Sequence, residues 1–589
     1  MTHTSPTTQK PPLNVAFFHP DLGLGGAERL IADACISLQN YGAGKVVESE
    51  TNEKSNLMPP SPAFMTQNSP RFADSHGTAN PPDSQLVSQN HVCLYTSHHD
   101  PSRCFKETID GTIRVFVEGM EWPRVFQIPI GFQTNETTGT RELRYRSLGH
   151  IFWATWRMVW CVMRVMQVLR NESNKDAPPS TKYQKRSAFA ELIVYIVGVV
   201  FQLLLMIWIA LCTVFEALVH VVAVRTTKPS TKERTKKGSS SQDNGAYHSP
   251  TKTASASACP MLGYDVYIVD QVPIAVPLLK YLAPLKPNGE RPLILFYCHF
   301  PDKLLALNRD SRNPFRRIYR WIFDYIEEWS MRQADVILVN SKFTRDIFKD
   351  SFPSIRVTPQ VLYPSLVEEA YDAIPGDFEN SSLFPVYKGG KHVVASINRF
   401  ERKKNHMLAL KAFNELKHML PDFKQKCHLV IAGGYDERLQ ENVEVKAELE
   451  EAADKMGLKG QVTFKPSFSD ADRYLLLHMS AAVVYTPQNE HFGIVPVEAM
   501  YCMRPVVAVN NGGPTESIAH GETGFLCEPQ AQTFAKALAD ILSDRQMARQ
   551  MGESGRLRVK GMFSLRAFGE ALDEYCRTEI FHGSNKKDE

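Results

Sequence analysis

The feature that most constrains the fold of this chain is a repeated alternation of short apolar runs with helix-like segments. In the first part of the chain the apolar runs lie at 14–18, 91–96, 266–270, 293–298 and 335–340. Helical patterns, such as the one from Phe315 to Ala334, separate them. Strands that alternate with helices in this way indicate a parallel sheet covered on both faces. The first part of the chain is therefore predicted to be a Rossmann-like α/β domain.

A second series of the same kind begins near residue 391. A helical pattern covers 405–419, and the strand-like runs are HVVASINRF, HLVIAGG, VTFKPS, AAVVYTP and PVVAVN. We predict two Rossmann-like domains that face each other across a cleft. The first takes residues 1–365 and the second residues 366–589, with the boundary near the Tyr363-Pro364 turn.

Three polar stretches interrupt the first domain, at 45–90, 171–187 and 225–260. They are rich in polar residues and poor in aliphatic ones. Such segments bury too little apolar surface to offset the entropy lost on ordering. We therefore predict that all three are disordered inserts.

One apolar segment belongs to neither sheet. Residues 192–215 contain no charged side chain, and as a helix they would be about 36 Å long against roughly 30 Å of bilayer hydrocarbon. The preceding segment, 152–169, carries Arg157 and Arg164 on one face, which suits a helix in the membrane interface. A single crossing would separate strands of one sheet, so we predict a membrane-associated insertion that enters and leaves on one face. A two-crossing hairpin and a buried core helix are the alternatives.

Composition excludes several other classes of protein. Hydrophobic residues make up 43% and charged residues 22%, values that are typical of globular proteins. Lys and Arg number 67 against 64 Asp and Glu, so the net charge of +3 gives no reason to expect a nucleic-acid partner. The 11 cysteines show no CxxC spacing, which argues against both a disulfide framework and a zinc site.

Glycines occupy the turn between the first strand and the first helix. Gly23, Gly25 and Gly26 would let a ligand approach the backbone, and the free N–H groups of a helix start attract phosphate. The spacing is not GxGxxG. A tight strand-to-helix turn without a ligand is the alternative interpretation.

Two cations flank the loop after the first strand of the second domain. Arg399 and Lys404 stand in RFERKKN, at the predicted carboxyl edge of a parallel sheet. Cations at that position can neutralise a diphosphate leaving group. The alternative is a solvated charge run, which is the expected role of Glu401, Arg402 and Lys403.

Two glutamates stand in EHFGIVPVE, directly after the strand AAVVYTP. The segment PVEAM, which begins at Pro496, indicates the start of a helix, so we predict that Glu490 lies on the loop before it and that Glu498 lies in its first turn. A carboxylate near a helix start is stabilised in its charged form and can accept two hydrogen bonds from a vicinal diol such as ribose. Helix capping alone is the alternative for either residue, and the pair is the most specific signal in the chain.

A histidine and a pair of aspartates complete the candidates. His299, in YCHFPD, follows a strand and would face the same cleft, where it could bond a sugar hydroxyl. A structural role is the alternative, because most single histidines are structural. Asp470 and Asp472 resemble a metal-binding DxD motif, but they precede a helical run, so helix capping is the better explanation.

These motifs together resemble the retaining GT-B glycosyltransferases that use nucleotide sugars. The likeness rests on GGAER after the first strand, Arg399 with Lys404, IAGGYD, and the spacing of Glu490 and Glu498. More narrowly, HPDLGLGGAERL, YTSHHDPSRCF, LFYCHFPD and EHFGIVPVEAMYC are similar to the eukaryotic, fungal-type α-1,3/α-1,6-mannosyltransferases of dolichol-linked oligosaccharide assembly. The resemblance implies a GT-B fold and covers nearly the whole chain, apart from the polar inserts.

The resemblance also implies a sugar donor and a role for each candidate residue. GDP-mannose would bind mainly the second domain, with its diphosphate held by Arg399 and Lys404 and by Gly25 and Gly26 across the cleft. Glu498 would bind the ribose or the leaving-phosphate region, and Glu490 would contact mannose hydroxyls. His299 would help to position the transferred mannose. Glu490, His299 and Glu498 are thus the candidate catalytic residues. No metal or other cofactor is implied, because the two cations supply the positive charge.

The implied acceptor is Man-GlcNAc2-diphosphodolichol, to which two mannoses would be added with retention, in α-1,3 and α-1,6 linkages of either order. The implied location is the endoplasmic reticulum membrane, with the catalytic domains on its cytosolic face. Lys586 and Lys587 match a di-lysine retrieval signal, and a frayed charged end is the alternative. Other glycosyltransferases of the pathway are candidate partners. The competing functions are a different GT-B transferase with a lipid-linked acceptor and a non-catalytic membrane scaffold.

Overall fold

Strands and helices alternate through the chain, as the sequence pattern predicts. The computed structural model of the protein describes residues 11–20, 22, 26–41, 90–96, 99, 104–117, 126–134, 141–148, 158–166, 263–286, 288–305 and 314–578. The apolar segment 192–215 and the three polar inserts, except for Asn90, lie outside these residues, so their predictions stay predictions. Within the described ranges, no helix combines the length and apolar character needed to cross a bilayer.

The strands are labelled β1 to β15 in chain order. They are β1 Asn14–His19, β2 His91–Thr96, β3 Arg114–Val117, β4 Phe126–Thr134, β5 Arg141–Leu148, β6 Val266–Asp270, β7 Leu293–Cys298, β8 Val336–Val339, β9 Gln360–Val361, β10 His392–Ile397, β11 Cys427–Gly433, β12 Val462–Pro466, β13 Ala482–Tyr485, β14 Val506–Val509 and β15 Gly524–Cys527. The predicted strands of both series are confirmed, whereas β3, β4, β5, β9 and β15 were not predicted.

Helices connect most of the strands. Besides the helical stretch 158–166, the α-helices of the described residues are Gly26–Tyr41, Ala275–Leu282, Asp302–Leu305, Pro314–Met331, Lys342–Ser351, Glu369–Asp372, Phe384–Lys388, His406–Glu415, Phe423–Lys426, Gln440–Lys455, Asp470–Tyr474, Ile494–Tyr501, Pro514–Ser517, Ala531–Ser543, Arg545–Met562 and Leu565–Cys576. Shorter turns of 3₁₀-helix occur at Lys106–Thr108, Phe378–Asn380, Arg402–Lys404 and Leu416–His418, and a π-helical turn at Leu475–Met479. Serine hydroxyls cap several starts. Ser341, for example, accepts a hydrogen bond from the backbone N–H of Thr344.

Two parallel sheets form the body of the protein. The first has seven strands in the order β3-β2-β1-β6-β7-β8-β9, and the second has six in the order β12-β11-β10-β13-β14-β15. Strands β6 and β7 are buried at every residue, as expected for parallel strands covered by helices on both faces. The antiparallel pair β4 and β5 forms a separate two-stranded sheet. Two Rossmann-like domains are therefore confirmed.

The strand order of each sheet reverses at one point. In the first sheet the strands after β1 are added on one side of it, and β6 and the strands after it are added on the other side, so the reversal lies between β1 and β6. In the second sheet the reversal lies between β10 and β13. Ligands of open α/β sheets bind beyond the carboxyl ends of the strands at such a reversal. The two reversals therefore define where a site is expected.

The last helix, Leu565–Cys576, packs against the first helix, Gly26–Tyr41. Phe568 and Leu572 join the apolar core on one face of the first sheet. Gly569 permits this contact, because an added Cβ would lie 2.9 Å from the Cβ of Ser37. The chain thus returns to its first domain after it completes the second, and the division near residue 365 stays a prediction.

Residues 158–166, within the segment expected at the membrane interface, are helical. Five of their apolar residues lie in the core of the first domain: Met158, Cys161, Val162, Val165 and Met166. Val159, Trp160 and Met163 are only partly buried. Arg164 is exposed. Burial in protein accounts for those five residues, and the interfacial position of 152–169 stays a prediction.

Candidate active site

The carboxyl edges of the two sheets face each other. Phe300, after β7, stacks on His491, after β13, with ring centroids 3.7 Å apart and planes 7° from parallel. The Ser341 hydroxyl, after β8, donates to the backbone carbonyl of His491 at 2.5 Å. Burial lowers the pKa of His491 to about 4, so its ring is neutral at physiological pH. The loop that carries Glu490 is therefore in direct contact with the first domain.

A second contact between the domains lies at the start of the helix Lys342–Ser351. The Glu516 carboxylate accepts the backbone N–H groups of Lys342 and Phe343, both at 2.8 Å. It also accepts the Tyr363 hydroxyl at 3.0 Å. A carboxylate at a helix start is favoured by the free N–H groups and the helix dipole. Glu516 follows β14, so this contact also joins the two carboxyl edges.

Lys404 and Glu490 form an ion pair at the reversal of the second sheet. Nζ of Lys404 lies 2.5 Å from Oε2 of Glu490, and Lys404 is 8% exposed. The turn is held by Asn405, whose φ is 49°, and by the Thr486 hydroxyl, which donates to the Lys404 carbonyl at 2.8 Å. A charge this buried is stable only if it is paired. The structure therefore brings together two residues that the sequence proposed separately.

Arg399 lies on the same loop but is solvent-exposed. Its side chain is 63% exposed and lies 3.0 Å from Glu401. Glu401 is only 15% exposed and also pairs with Lys403. Arg402 pairs with carboxylates of the helix Gln440–Lys455. The solvated-charge interpretation thus fits Arg402 and Lys403 but is wrong for Glu401, which is largely buried between two cations. The donor-binding role of Arg399 stays a prediction.

Glycines allow a second loop to press against the one that carries Glu490. A Cβ on Gly513 would lie 2.1 Å from the carbonyl oxygen of Phe492. At Gly512 the φ is 65°, and an added Cβ would lie 2.6 Å from the Glu490 carbonyl oxygen. The Gly513 N–H donates to that carbonyl at 2.8 Å. Only glycine permits this approach, which fixes the backbone of Glu490.

The predicted position of Glu498 in the first helical turn is wrong. The helix runs Ile494–Tyr501, so it begins two residues before Pro496, and Glu498 is in its second turn. The free N–H groups of the helix start are therefore not beside its carboxylate. Instead, the Tyr371 hydroxyl donates to Glu498 Oε1 at 2.5 Å. Burial and the charge of Glu498 raise the pKa of Tyr371, so the phenol remains a donor.

Tyr485, the last residue of β13, lies near both glutamates. Burial and the charges of Glu490 and Glu498 raise its pKa well above the ordinary value, and its hydroxyl bonds Glu490. An added Cβ on Gly493 would lie 2.9 Å from that hydroxyl oxygen. The two glutamates of the sequence motif thus share one buried tyrosine as a neighbour.

His299 is bound to a buried aspartate in the first domain. Its Nε2 lies 2.8 Å from Oδ1 of Asp270, and its side chain is 25% exposed. The other oxygen of Asp270 lies 2.8 Å from Nδ1 of His19. Since Phe300 follows His299 and His491 follows Glu490, the Phe300–His491 stack brings the loops of these two candidates together.

The remaining candidates are the glycines and the DxD aspartates. Gly26 begins its helix and an added Cβ there would meet nothing within 4 Å, whereas Gly25 lies outside the described residues. Asp472 forms a capping box with Ser469, which confirms the capping interpretation. No group of three or more His, Cys, Asp or Glu residues in the described ranges is arranged to hold a metal ion.

Several site residues were missed by the sequence analysis. They are His19, Asp270, Ser341, Tyr371, Tyr485, His491 and Glu516. A sequence signal exists for His19 and Asp270, because each is a polar residue that ends a parallel strand directly after a run of apolar residues. Tyr371 carries no such signal, since it lies on a short helix far from Glu498 in sequence.

Comparison with known proteins agrees with this geometry. Residues 379–558 match the family model described as glycosyl transferases group 1. An α-1,3/1,6-mannosyltransferase ALG2 of Rhizomucor pusillus is 33% identical over 581 residues, which is 95% of this chain and 90% of that protein. The chain belongs to the ALG2 α-1,3/1,6-mannosyltransferase family. It is therefore an enzyme, a mannosyltransferase with the two-domain GT-B fold.

Other relatives support membership of the ALG2 family. The ALG2 protein of Dictyostelium discoideum is 30% identical, with 95% of this chain and 97% of that protein covered. The human ALG2 protein is 46% identical over 314 residues, which is 53% of this chain and 73% of that protein. The solved structure of Anabaena HepE in complex with UDP covers 96% of this chain and 99% of its own at a TM-score of 0.51 and 14% identity, which supports the fold alone.

Proposed function

We propose that this enzyme transfers mannose from GDP-mannose to Man-GlcNAc2-diphosphodolichol, with retention, and makes the α-1,3 and α-1,6 linkages of the N-glycan precursor. The observation that carries this proposal is the buried Lys404–Glu490 pair at the reversal of the second sheet, in contact with the His299 loop of the first. Membership of the ALG2 family supports the choice of mannose and of the two linkages.

The charges of the site suit departure of a nucleoside diphosphate. When the bond between the anomeric carbon and the phosphate oxygen breaks, negative charge develops on the diphosphate. Lys404, with Arg399 beside it, would stabilise that charge in a partly dehydrated site, where fixed cations act strongly. Gly25 and Gly26 would present backbone N–H groups to the same diphosphate from the first domain.

The carboxylates and the histidine suit the sugar parts of the donor. Glu498 would accept hydrogen bonds from the ribose hydroxyls or contact the leaving-phosphate region, in place of its present bond from Tyr371. Glu490, charge-paired with Lys404, would contact mannose hydroxyls. His299 would position the transferred mannose from the opposite sheet. Fixed positioning of this kind supplies much of the rate of a two-substrate reaction.

The acceptor carries a lipid, which places the enzyme at a membrane. We propose the endoplasmic reticulum membrane, with both domains on the cytosolic face, and the uncharged run 192–215 supports this. The net charge of +3 gives no reason to expect a nucleic-acid partner, and the family supports a lipid-linked saccharide as the acceptor. Other transferases of the same pathway are candidate partners.

A direct test uses purified protein in detergent, GDP-mannose and a lipid-linked Man-GlcNAc2 acceptor. We expect two products, heavier than the acceptor by one and by two hexoses, with α-1,3 and α-1,6 linkages. UDP-glucose in place of GDP-mannose serves as the control donor. Transfer from UDP-glucose but not from GDP-mannose would overturn the donor assignment.

Metal removal should leave much of the activity. Arg399 and Lys404 supply the positive charge that a bound metal ion supplies in DxD enzymes. The Asp472 carboxylate already accepts hydrogen bonds from the hydroxyls of Ser469 and Ser381. The same assay with excess EDTA should retain at least about half of the initial rate. Complete loss of activity, restored only by Mn²⁺, would contradict this expectation.

The two glutamates should differ in their kinetic effects. Glu498→Gln loses a charge-assisted acceptor, so KM for GDP-mannose should rise about five- to tenfold, or roughly 1 kcal/mol, with kcat less affected. Glu490→Gln should mainly lower kcat. The exposed Glu522→Gln is the matched control and should behave as the wild type. Wild-type kinetics in both site variants would reduce the motif to a structural role.

A further inference from the structure

Asp270 is a buried carboxylate to which sequence analysis assigned no function. It ends β6, and it is fully buried between His19, which ends β1, and His299, which follows β7. Each of its oxygens is 2.8 Å from a nitrogen of one ring. Since β1 and β6 flank the reversal of the first sheet, the three side chains lie where this sheet is expected to bind a ligand.

The hydrogen bonds define which ring nitrogens carry protons. Burial alone would raise the pKa of Asp270, but the charge and hydrogen bonds of His299 and His19 outweigh it and lower that pKa to about 2. The carboxylate is therefore ionised, and an ionised carboxylate only accepts hydrogen bonds. His19 must donate from Nδ1 and His299 from Nε2. The ring nitrogen of His299 that Asp270 does not engage is Nδ1.

The residue after His299 contacts the loop of the second domain that carries Glu490. Phe300 stacks on His491, the neighbour of Glu490. The amide of Asn340 donates to the His299 carbonyl at 3.0 Å, which fixes the backbone of this residue. Burial lowers the pKa of the His299 ring and Asp270 raises it, with a net rise. The ring is thus held by its backbone and by one carboxylate.

We propose that Asp270 is a positioning residue for mannosyl transfer, which holds His299 by Nε2 so that Nδ1 is presented to a hydroxyl of the transferred sugar. The proposal rests on the proposed function, in which His299 contacts that sugar. His19 binds the second oxygen of Asp270 and keeps the carboxylate from turning. The ends of β1, β6 and β7 thereby act as one rigid polar unit.

The test is Asp270→Asn, which keeps the size of the side chain. An amide offers one acceptor and one donor group, so it cannot accept hydrogen bonds from both rings. We expect kcat to fall about 10- to 50-fold, a loss comparable to that seen when the hydrogen-bond partner of a metal-binding histidine is removed. KM for GDP-mannose should change less than about twofold, because the diphosphate and ribose contacts proposed above lie mainly in the second domain.

Two further variants separate this proposal from the function on which it rests. His299→Ala gives the loss due to the histidine itself, and the double variant should be no slower than His299→Ala, because Asp270 acts through that ring. An inactive His299→Ala enzyme combined with a fully active Asp270→Asn enzyme would overturn the positioning role alone. Multiplicative losses in the double variant would do the same. Full activity of His299→Ala would overturn both the role of His299 and the role of Asp270.

A matched control and a second measurement guard against a folding defect. Asp573→Asn removes another buried carboxylate, which binds Arg577 at 2.8 Å, and should keep normal kinetics. If Asp270→Asn does not fold, nitrogen NMR of histidine-labelled wild-type enzyme still decides the point, with His299→Ala used to assign the signals. We expect Nε2 of His299 to be protonated. A proton on Nδ1 with a bare Nε2 would overturn the proposal.

Discussion

Replacing Lys404 by alanine is expected to lower turnover about a hundredfold, or roughly 3 kcal/mol of transition-state stabilisation. The ammonium group is mostly buried and lies 2.5 Å from Glu490, so its charge is poorly screened by water. Without it, the exposed Arg399 alone of the two proposed cations would oppose charge on the departing diphosphate of the proposed donor, and Glu490 would lose its ion-pair partner. Steady-state rates with GDP-mannose measure this effect.

The neighbouring lysine provides the control. Lys403 is 68% exposed and, among the described residues, forms an ion pair with Glu401 alone, so Lys403→Ala should retain wild-type turnover. The turnover of Arg399→Ala should lie between those of Lys404→Ala and Lys403→Ala. Arg399 is a cation on the same loop, but it is 63% exposed, so water and salt screen its charge. If the turnover of Lys404→Ala is within threefold of the wild type, the proposed role of Lys404 in stabilising the leaving diphosphate is wrong.

Gly433→Ala is expected to destabilise the second domain by about 3 kcal/mol or more. An added Cβ would lie 1.6 Å from the carbonyl oxygen of Asn398 and 3.1 Å from the backbone nitrogen of Arg399. These are backbone atoms at the carboxyl end of β10, and they cannot move aside without disturbing the loop that leads to Lys404. Urea unfolding and the yield of soluble enzyme measure the loss of stability, and activity should fall with it.

A glycine in a helix serves as the comparison. Gly561 lies in the helix Arg545–Met562, where an added Cβ would meet nothing within 4 Å. Gly561→Ala should therefore be neutral or stabilise the protein by up to about 1 kcal/mol, because alanine favours helix. If Gly433→Ala unfolds at the same urea concentration as the wild type, the close approach of β11 to Asn398 is wrong.

Local patterns were sufficient to predict the strands of the two parallel sheets, apart from the edge strands β3, β9 and β15. Parallel strands are buried on both faces, so VYIVD and LILFYC appear in the sequence as uninterrupted apolar runs. The unpredicted strands lack this signal. β9 has two residues and β3 reads RVFV, with its first and last residues exposed. Such edge strands form because a neighbouring strand offers free hydrogen-bonding groups.

The start of the helix that carries Glu498 shows the limit of a local rule. Proline is common at the first position of a helix, so the sequence suggested a start at Pro496. Gly493 adopts a φ of 81°, and the helix begins at the next residue, Ile494, two residues before Pro496. The packing of Gly512 and Gly513 against the loop decides this conformation. That packing depends on residues after β14.

The sequence by itself determined two Rossmann-like domains, the family, and the residue types at the carboxyl ends of the strands. Hydrophobic periodicity and contiguous motifs are local properties, so a single chain displays them directly. Only the tertiary structure decided that Lys404 pairs with Glu490 and that Asp270 joins His19 to His299. Those partners are 86, 251 and 29 residues apart. Their contacts depend on strand order, because a sheet brings together the ends of strands that are distant in sequence.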